Sequence, residues 1–509
     1  MATPEQDATI AFLASPAAFG GAAPVQRIDT HFSVVTIAGD RVLKLKRALT
    51  NDLVDYGTPA RRRQACLDEL AVNRRSAPDL YRDVLAVTRE KNGDLALDGE
   101  GEAIDWVVLM RRFDDHGLFR DLAQQGRLTA TLIDGAADAV ARLHEVAEAT
   151  PDHGGLEDMR WIIEGNVAAL EEAGGEQVDT ATSVVLARAS REALARHGDL
   201  LEQRRRDGMT RRCHGDLHLG NICLVEGVPT LFDAIEFNDR IACCDLIYDL
   251  AFLVMDLWAR GHRSYANRVL NRYLWRTADW QGLPLLPLFL SCRAAIRAKT
   301  SIWAAQVQES PEAAGEQHRQ ARSYLDLALA CLQRPTPALL ALGGLSGTGK
   351  TTLAMTLAEE RPGIPGALVV RSDVLRKQLA GVPFEETLPR GNYTRESSAA
   401  VYERLEAVAA LGLDAGLSVI ADAVFLRNEE RESIAAVAGR AGCPFAAFWL
   451  EAPQATLRDR VEERRRDASD ADAEVVALQA RQDPGTLAWP RLDTRQGPQS
   501  VAERARKAL

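Results

Sequence analysis

Gly344-Leu345-Ser346-Gly347-Thr348-Gly349-Lys350-Thr351 follows the spacing G-x-x-x-x-G-K-[ST]. Residues without a Cβ let successive amide N–H groups close around an anion, and a helix N-terminus adds a favourable field. In this reading Gly344, Ser346, Gly347, Thr348, Gly349 and Thr352 cradle the phosphates of a nucleotide, Lys350 reaches the β- and γ-phosphates, and Thr351 offers a hydroxyl to Mg²⁺. Earlier in the chain, His214-Gly215-Asp216-Leu217-His218-Leu219-Gly220-Asn221 follows the order H-x-D-x-x-x-x-N. Twelve positions on, a short apolar run ends in Asp233. That order suits phosphoryl transfer: Asp216 orients an attacking hydroxyl, while Asn221 and Asp233 hold the metal that neutralises a triphosphate.

Each cluster predicts companions. Around the glycine loop, residues 368–372 and 418–422 are apolar runs ending near the acids Asp373 and Asp422. Carboxylates at the C-terminal ends of parallel strands face the ligand crevice. Asp373 therefore reads as the base for an acceptor hydroxyl, or solely as the N-cap of the helix that follows. Arg376, one turn on, reads as the holder of a substrate anion or of the transferring phosphoryl group, and Asp422 as a second contact to Mg²⁺ or to substrate. Residues 457–466 form an arginine-rich amphipathic run, a lid in which Arg460 and Arg464 share a face, or else a solvated helix. For the first cluster, the strand 41–46 offers Lys44 for the α- and β-phosphates, with Lys46 on the same face. The helix 61–75 offers Glu69 as its ion-pair partner, and the run 106–110 is a strand read as joining two lobes. Glu236, Asp245 and Asp249 form an acidic group that either receives a cationic or polyhydroxyl acceptor or serves as caps and structural pairs.

These residues need two kinds of scaffold. The region around 31–113 is strand-rich, with a hairpin signal at Ala38-Gly39-Asp40, and beyond about residue 118 the apolar spacing is helical. That is a bilobal α+β arrangement. After Arg334-Pro335-Thr336-Pro337, runs at 338–342, 368–372, 418–422 and 444–450 alternate with helices, an α/β pattern with a parallel sheet between helical layers. The expected domains are 1–334 and 335–509.

Residues 338–509 resemble the P-loop kinases related to polynucleotide kinase, gluconate kinase, chloramphenicol phosphotransferase and zeta-type toxins. The resemblance rests on the P-loop, Ser372-Asp373-Val374-Leu375-Arg376, Asp422 and the Arg460/Arg464 run. Residues from about 30 to 330 resemble the aminoglycoside phosphotransferase and choline kinase family, a protein-kinase-like fold. This second likeness is densest at 213–222, 232–238 and 245–252. It implies Asp216 as catalytic base and Asn221 and Asp233 as magnesium ligands. No glycine-rich loop precedes Lys44, so the turn near Thr30-His31-Phe32-Ser33 must cover the phosphates. The whole order resembles bacterial fusions of the two kinds of domain.

The expectation is thus a bifunctional, ATP- and Mg²⁺-dependent kinase acting on hydroxyls of small-molecule acceptors. Two readings remain beside it: one domain as a nucleotide-binding regulator of the other, or the P-loop domain as a kinase of nucleic-acid 5′-hydroxyls. A net charge of −11 weighs against nucleic acid. No signal peptide is read at the N-terminus and no run approaches the roughly 18 apolar residues of a membrane span, so a cytoplasmic protein is expected. The eight cysteines contain no C-x-x-C pair and read as reduced thiols. The oligomeric state is not legible.

Overall fold

The computed structural model describes residues 4–21, 24–51, 54–114, 116–173, 180–308, 310–463 and 468–509. The chain packs as two compact units, residues 1–158 with 202–253, and 159–201 with 254–509.

The first unit is built on strands β1 (Gln26–Asp29), β2 (Ser33–Ala38), β3 (Arg41–Lys46), β4 (Tyr81–Arg89), β5 (Leu95–Leu97) and β6 (Glu102–Arg111). They form one antiparallel sheet in the order β1-β2-β3-β6-β4-β5. The β2–β3 hairpin pairs Ala38 with Arg41 around the two-residue turn Gly39-Asp40. Alternation along β3 sends Leu43 and Leu45 into one cluster with Ile10, Phe19, Val34 and Val107. Val42 joins the opposite cluster with Cys66, Leu70 and Tyr81. Lys44 and Lys46 share the face of Val42.

Helix α1 (Pro4–Leu13) supports the first cluster, and α2 (Pro59–Asn73) lies on the second. Thr58 caps α2 by accepting the Arg61 amide, and Pro59 occupies its first turn. Cys66, Glu69, Leu70 and Asn73 then fall on one buried face. Helices α3 (Phe119–Gln124) and α4 (Ala130–Val146) follow. Then come α5 (Gly155–Ala173) and α6 (Thr180–Arg206), which lie mainly in the second unit. The segment after α6 pairs β7 (Thr210–Arg212) with β10 (Cys243–Asp245), and β8 (Ile222–Val225) with β9 (Val228–Leu231). Glu226 and Gly227 both have positive φ, as a two-residue hairpin matching strand twist demands. Helices α7 (Asp239–Ala242) and α8 (Leu246–Ala259) close this part.

In the second unit, α9 (Arg263–Thr277), α10 (Leu286–Gln306) and α11 (Pro311–Leu332) precede a five-stranded parallel sheet. Its strands are β11 (Leu339–Gly343), β12 (Leu368–Arg371), β13 (Val419–Asp422), β14 (Phe445–Glu451) and β15 (Arg491–Asp493), in the order β12-β13-β11-β14-β15. Helices α12 (Lys350–Ala358), α13 (Ser372–Ala380), α14 (Arg395–Asp414), α15 (Asn428–Ala441), α16 (Gln454–Glu463), α17 (Ala473–Ala480) and α18 (Pro498–Ala508) complete the unit. β11, β12 and β13 are buried at every position, as strands covered on both faces must be. This is a protein-kinase-like α+β fold followed by a P-loop α/β fold. Because α9, α10 and α11 lie with the P-loop sheet, the compact units and the sequence boundary at 334 divide the chain differently. No described helix is long and apolar enough to cross a membrane. The eight cysteines are free thiols.

Candidate functional site

In the first unit the strand, the helix and the loop after β9 converge. Lys44 Nζ lies 2.7 Å from Glu69 Oε1 and also pairs with Asp233. Lys46 Nζ lies 2.6 Å from Glu69 Oε2 and pairs with Glu236, which accepts the Tyr56 hydroxyl at 3.1 Å. Burial alone would lower the Lys44 ammonium; the Asp233 and Glu69 carboxylates outweigh it and hold Lys44 well above its ordinary value. Burial would likewise raise Glu69, but Lys44 and Lys46 bring it down to about 2.

The loop 213–221 is folded by its own polar groups. His214 Nε2 lies 2.9 Å from the Phe232 carbonyl, and the His214 and Gly215 amides donate to Asp249 at 3.1 and 2.8 Å. Burial keeps the His214 imidazole below its ordinary pKa, so at neutral pH the ring serves as a neutral strut. Asn221 Nδ2 donates to the Asp216 carbonyl at 2.9 Å and to Asp216 Oδ2 at 3.0 Å. That leaves the Asn221 Oδ1, the atom a hard cation takes. Asp233 has φ +61°, is held through its amide by the Tyr81 hydroxyl at 3.1 Å, and keeps its carboxylate 45% exposed. An amide oxygen and an accessible carboxylate are a donor set that fits Mg²⁺.

The structure brings Lys44, Glu69 and Asp233 together, and Asp216 with Asn221. Of the two readings of the acidic group, the partners found are those of caps and structural pairs. Asp245 makes a two-point pair with Arg204 (2.7 and 3.0 Å) and caps the Ile247 amide. Asp249 is wholly buried against His144 at 3.0 Å and the loop amides. Glu236 is spent on Lys46 and Tyr56. All three carboxylates are engaged in pairs and caps within the fold. Residues 106–110 sit inside β6, paired with β4 throughout and with β3 from Val107 on, so the lobes are joined after Arg111. Spacing gave no notice of Asn73, which accepts the Ala234 amide at 2.8 Å and fixes the turn carrying Asp233. Its position on the buried face of α2 was the available signal.

In the second unit, Gly344 (φ +135°) and Gly347 (φ +84°) pass backbone carbonyls so closely that a Cβ would lie 2.4 Å from Leu450 O and 2.6 Å from Leu457 O. Lys350 Nζ folds onto the loop, 2.8 Å from Gly344 O and 3.1 Å from Leu345 O. The Thr351 hydroxyl donates to Asp422 Oδ2, and Arg371 Nε stands 3.6 Å from the same oxygen. Burial raises the Asp422 pKa, opposed by Lys350 and Arg371. Hydroxyl and carboxylate oxygens side by side fit Mg²⁺ as well.

Three cavities surround this loop. One of about 100 Å³ is lined by Gly349, Lys350, Thr351, Asp373 and Asp422. A second, about 260 Å³, lies against Thr348, Gly349, Thr352, Arg460 and Thr494. A third, about 580 Å³, is lined by Asp373, Arg376, Tyr393, Arg395, Arg427 and Asp470 among others. Asp373 and Ser346 line both the first and the third.

Arg376 reaches Asn392 O at 3.3 Å and stacks 4.8 Å from the Tyr393 ring centre. Arg460, expected as a lid arginine that neutralises the transferring phosphate, lies beside the glycine loop. It donates to Thr494 O at 2.6 Å and Gly347 O at 3.4 Å, and so faces the 260 Å³ cavity. Arg464 lies outside the described residues. Sequence reasoning also passed over Gln479, whose side-chain oxygen accepts the Ser346 amide at 2.9 Å.

Fold and geometry define a phosphotransferase. The model of the phosphotransferase enzyme family matches residues 16–286, and that of an AAA domain matches residues 339–483. The chain belongs to the phosphotransferase enzyme family and is a kinase. It is similar to uncharacterized proteins of Mycobacterium tuberculosis and Mycobacterium bovis, each 31% identical over 475 residues, covering 92% of this chain and 91% of the relative. Among solved structures, a choline/ethanolamine kinase family protein from Mesorhizobium loti is 14% identical with TM-score 0.40, over 64% of this chain and 99% of that one. A gluconokinase from Sinorhizobium meliloti is 21% identical with TM-score 0.24, over 34% and 91%.

Proposed function

We propose that the chain is a bifunctional kinase that moves the γ-phosphoryl group of ATP to hydroxyls of small-molecule acceptors at two separate sites. One observation carries this reading. Each site sets a lysine beside a carboxylate: Lys44 pairs with Asp233, whose neighbour Phe232 donates its amide to the Asn221 carbonyl, and Lys350 lines one cavity with Thr351 and Asp422. Mg²⁺, when bound, would screen the triphosphate and lower the cost of bringing a nucleophile to it.

The chain's own residues do the rest. Lys44, held by Glu69, meets the α- and β-phosphates in the first site. Asp216 orients the acceptor hydroxyl and takes its proton. In the second site the loop amides and Lys350 grip the phosphates, and Arg460 serves the nucleoside side. Asp373, bordering both the phosphate cavity and the 580 Å³ cleft, is the acceptor's base. Arg376, Arg395 and Arg427 line that cleft together with Asp373, Glu430, Asp470, Asp472 and Glu474, a mixed-charge lining that suits a polar acceptor with several hydrogen-bonding groups. A cytoplasmic location, where ATP is plentiful, accords with this reading.

Labelled ATP and pools of metabolites test it with the full chain. Asp216→Asn and Asp373→Asn are each expected to abolish a different labelled product, and the double variant to abolish both. If Asp216→Asn leaves every product in place, the first site is no kinase of this kind.

A further inference from the structure

Strand β12 is the outermost strand of the P-loop sheet, so one side of its backbone has no neighbouring strand. Helix α9 supplies the missing partners. Asn271 Oδ1 accepts the Val369 amide at 2.7 Å. Asn267 Nδ2 donates to Ala367 O at 2.9 Å and Pro365 O at 3.1 Å. Trp275 Nε1 donates to Val369 O at 2.8 Å. Both asparagines are buried, which would be costly without these bonds.

The same helix reaches the chemistry. Two residues beyond Val369, the Arg371 guanidinium lies over the Trp275 ring, 5.1 Å from its centre. Arg371 Nε stands 3.6 Å from Asp422 Oδ2, the oxygen that receives the Thr351 hydroxyl. At the far end of α13, Gln378 Nε2 donates to Leu274 O at 3.1 Å and Trp275 O at 2.9 Å. The last turn of α9 thus holds the β12 backbone before Asp373 and the Gln378 side chain after Arg376.

We propose that Trp275 is a positioning residue of the P-loop site: stacked on Arg371, it sets the Asp422 carboxylate that orients Thr351. A helix from the stretch matched by the phosphotransferase-family model then completes the metal corner of the other site. This rests on the reading of Thr351 and Asp422 as that corner.

The test uses the full chain with Lys44→Ala and Asp233→Asn, which confine nucleotide to the P-loop site. Calorimetric ADP binding is measured in Mg²⁺ and in EDTA, and the ratio of affinities is the readout. Thr351→Ala is expected to remove most of the gain that Mg²⁺ gives. Trp275→Leu and Arg371→Gln are expected to cut that gain about tenfold, with affinity in EDTA unchanged within about twofold. Trp275→Phe keeps the ring and loses the Nε1–H donor, so it is expected to keep the gain.

A full gain in Trp275→Leu, or an equal loss in Trp275→Phe, overturns the positioning role. An equal fall of affinity with and without Mg²⁺ overturns it too, since that is what general loosening would do. If Trp275→Leu does not fold, Arg371→Gln against Arg371→Lys decides on the same ratio. A full gain in Thr351→Ala instead sinks the underlying reading of the metal corner, and the proposal with it.

Discussion

Lys44 on β3 is pinned between Glu69 on α2 and Asp233 on the turn after β9, so a single ammonium joins sheet, helix and the turn proposed to hold metal. The two contacts differ in kind. Glu69 is wholly buried, whereas Asp233 keeps an exposed carboxylate. Lys44→Met removes the proposed phosphate contact while Lys46 still neutralises Glu69. The variant is expected to fold and to lose about 10²-fold in the first site's turnover, a magnitude typical of removing one charge-stabilising donor. Product-resolved kinetics decide this: an equal loss at both sites would contradict the assignment of Lys44 to the first.

Glu69→Gln strikes the other end of the relationship: Lys44 keeps Asp233 and Lys46 keeps Glu236, but both lose the buried carboxylate they share. It is expected to cost up to about 3 kcal/mol at neutral pH, less than a break that leaves a buried charge with no partner. The Glu69 carboxyl is held at about 2, below its ordinary 4.5. A group with a depressed folded pKa stabilises fully above its unfolded value and loses that stability as pH falls toward the folded one. The gap between wild type and Glu69→Gln in urea unfolding is therefore expected to be widest near pH 7. It should shrink as the pH drops from about 4.5 toward 2. A gap that widens on acidification would refute the electrostatic account.

Asn73→Ala tests the support under Asp233. Asn73 accepts the Ala234 amide at 2.8 Å and donates to the Ala234 carbonyl at 3.4 Å, both buried. Losing these partners is expected to cost about 1–3 kcal/mol. The left-handed turn at Asp233 also loosens, so the Mg²⁺ concentration needed for half-maximal activity of the first site should rise. Unchanged Mg²⁺ dependence alongside reduced stability would make Asn73 a packing residue only.

Gly344→Ala examines the second site. The added Cβ would meet a backbone carbonyl, Leu450 O, at 2.4 Å, in a strand that cannot yield without disturbing the sheet. Nucleotide binding at the P-loop is expected to fall by about 10²-fold or more, with the Asp216-dependent product intact. Retained binding would mean that the loop has slack which its close contacts argue against.

What could be read from spacing was local. The loop 213–221, the glycine loop and four of the five parallel strands are each specified within a few residues: turn glycines, apolar runs, an acid at a strand end. The hairpin turn Gly39-Asp40 belongs to the same class. Pairings between distant residues left no such mark. Glu236, Asp245 and Asp249 looked like a cluster because they are close in sequence, but their partners Lys46, Arg204 and His144 lie far upstream. Periodicity put Arg460 on a helix face without saying which cavity that face meets. β4 escaped notice because its pairing with β6 carries register shifts that blur alternation. Asn267 and Asn271 drew no reading from the sequence, since nothing local announces that a strand lies beside them.

The way α9 sheathes β12 bears on how such a chain can be cut. A fragment beginning at residue 335 would carry the whole glycine loop, yet the amide of Val369 and the carbonyls of Ala367 and Val369 would lose their helix partners. A strand from a second copy is the readiest replacement, so the fragment is expected to aggregate by edge-to-edge pairing. Recombination that transplants this P-loop module intact would have to carry residues 263–277 along with it.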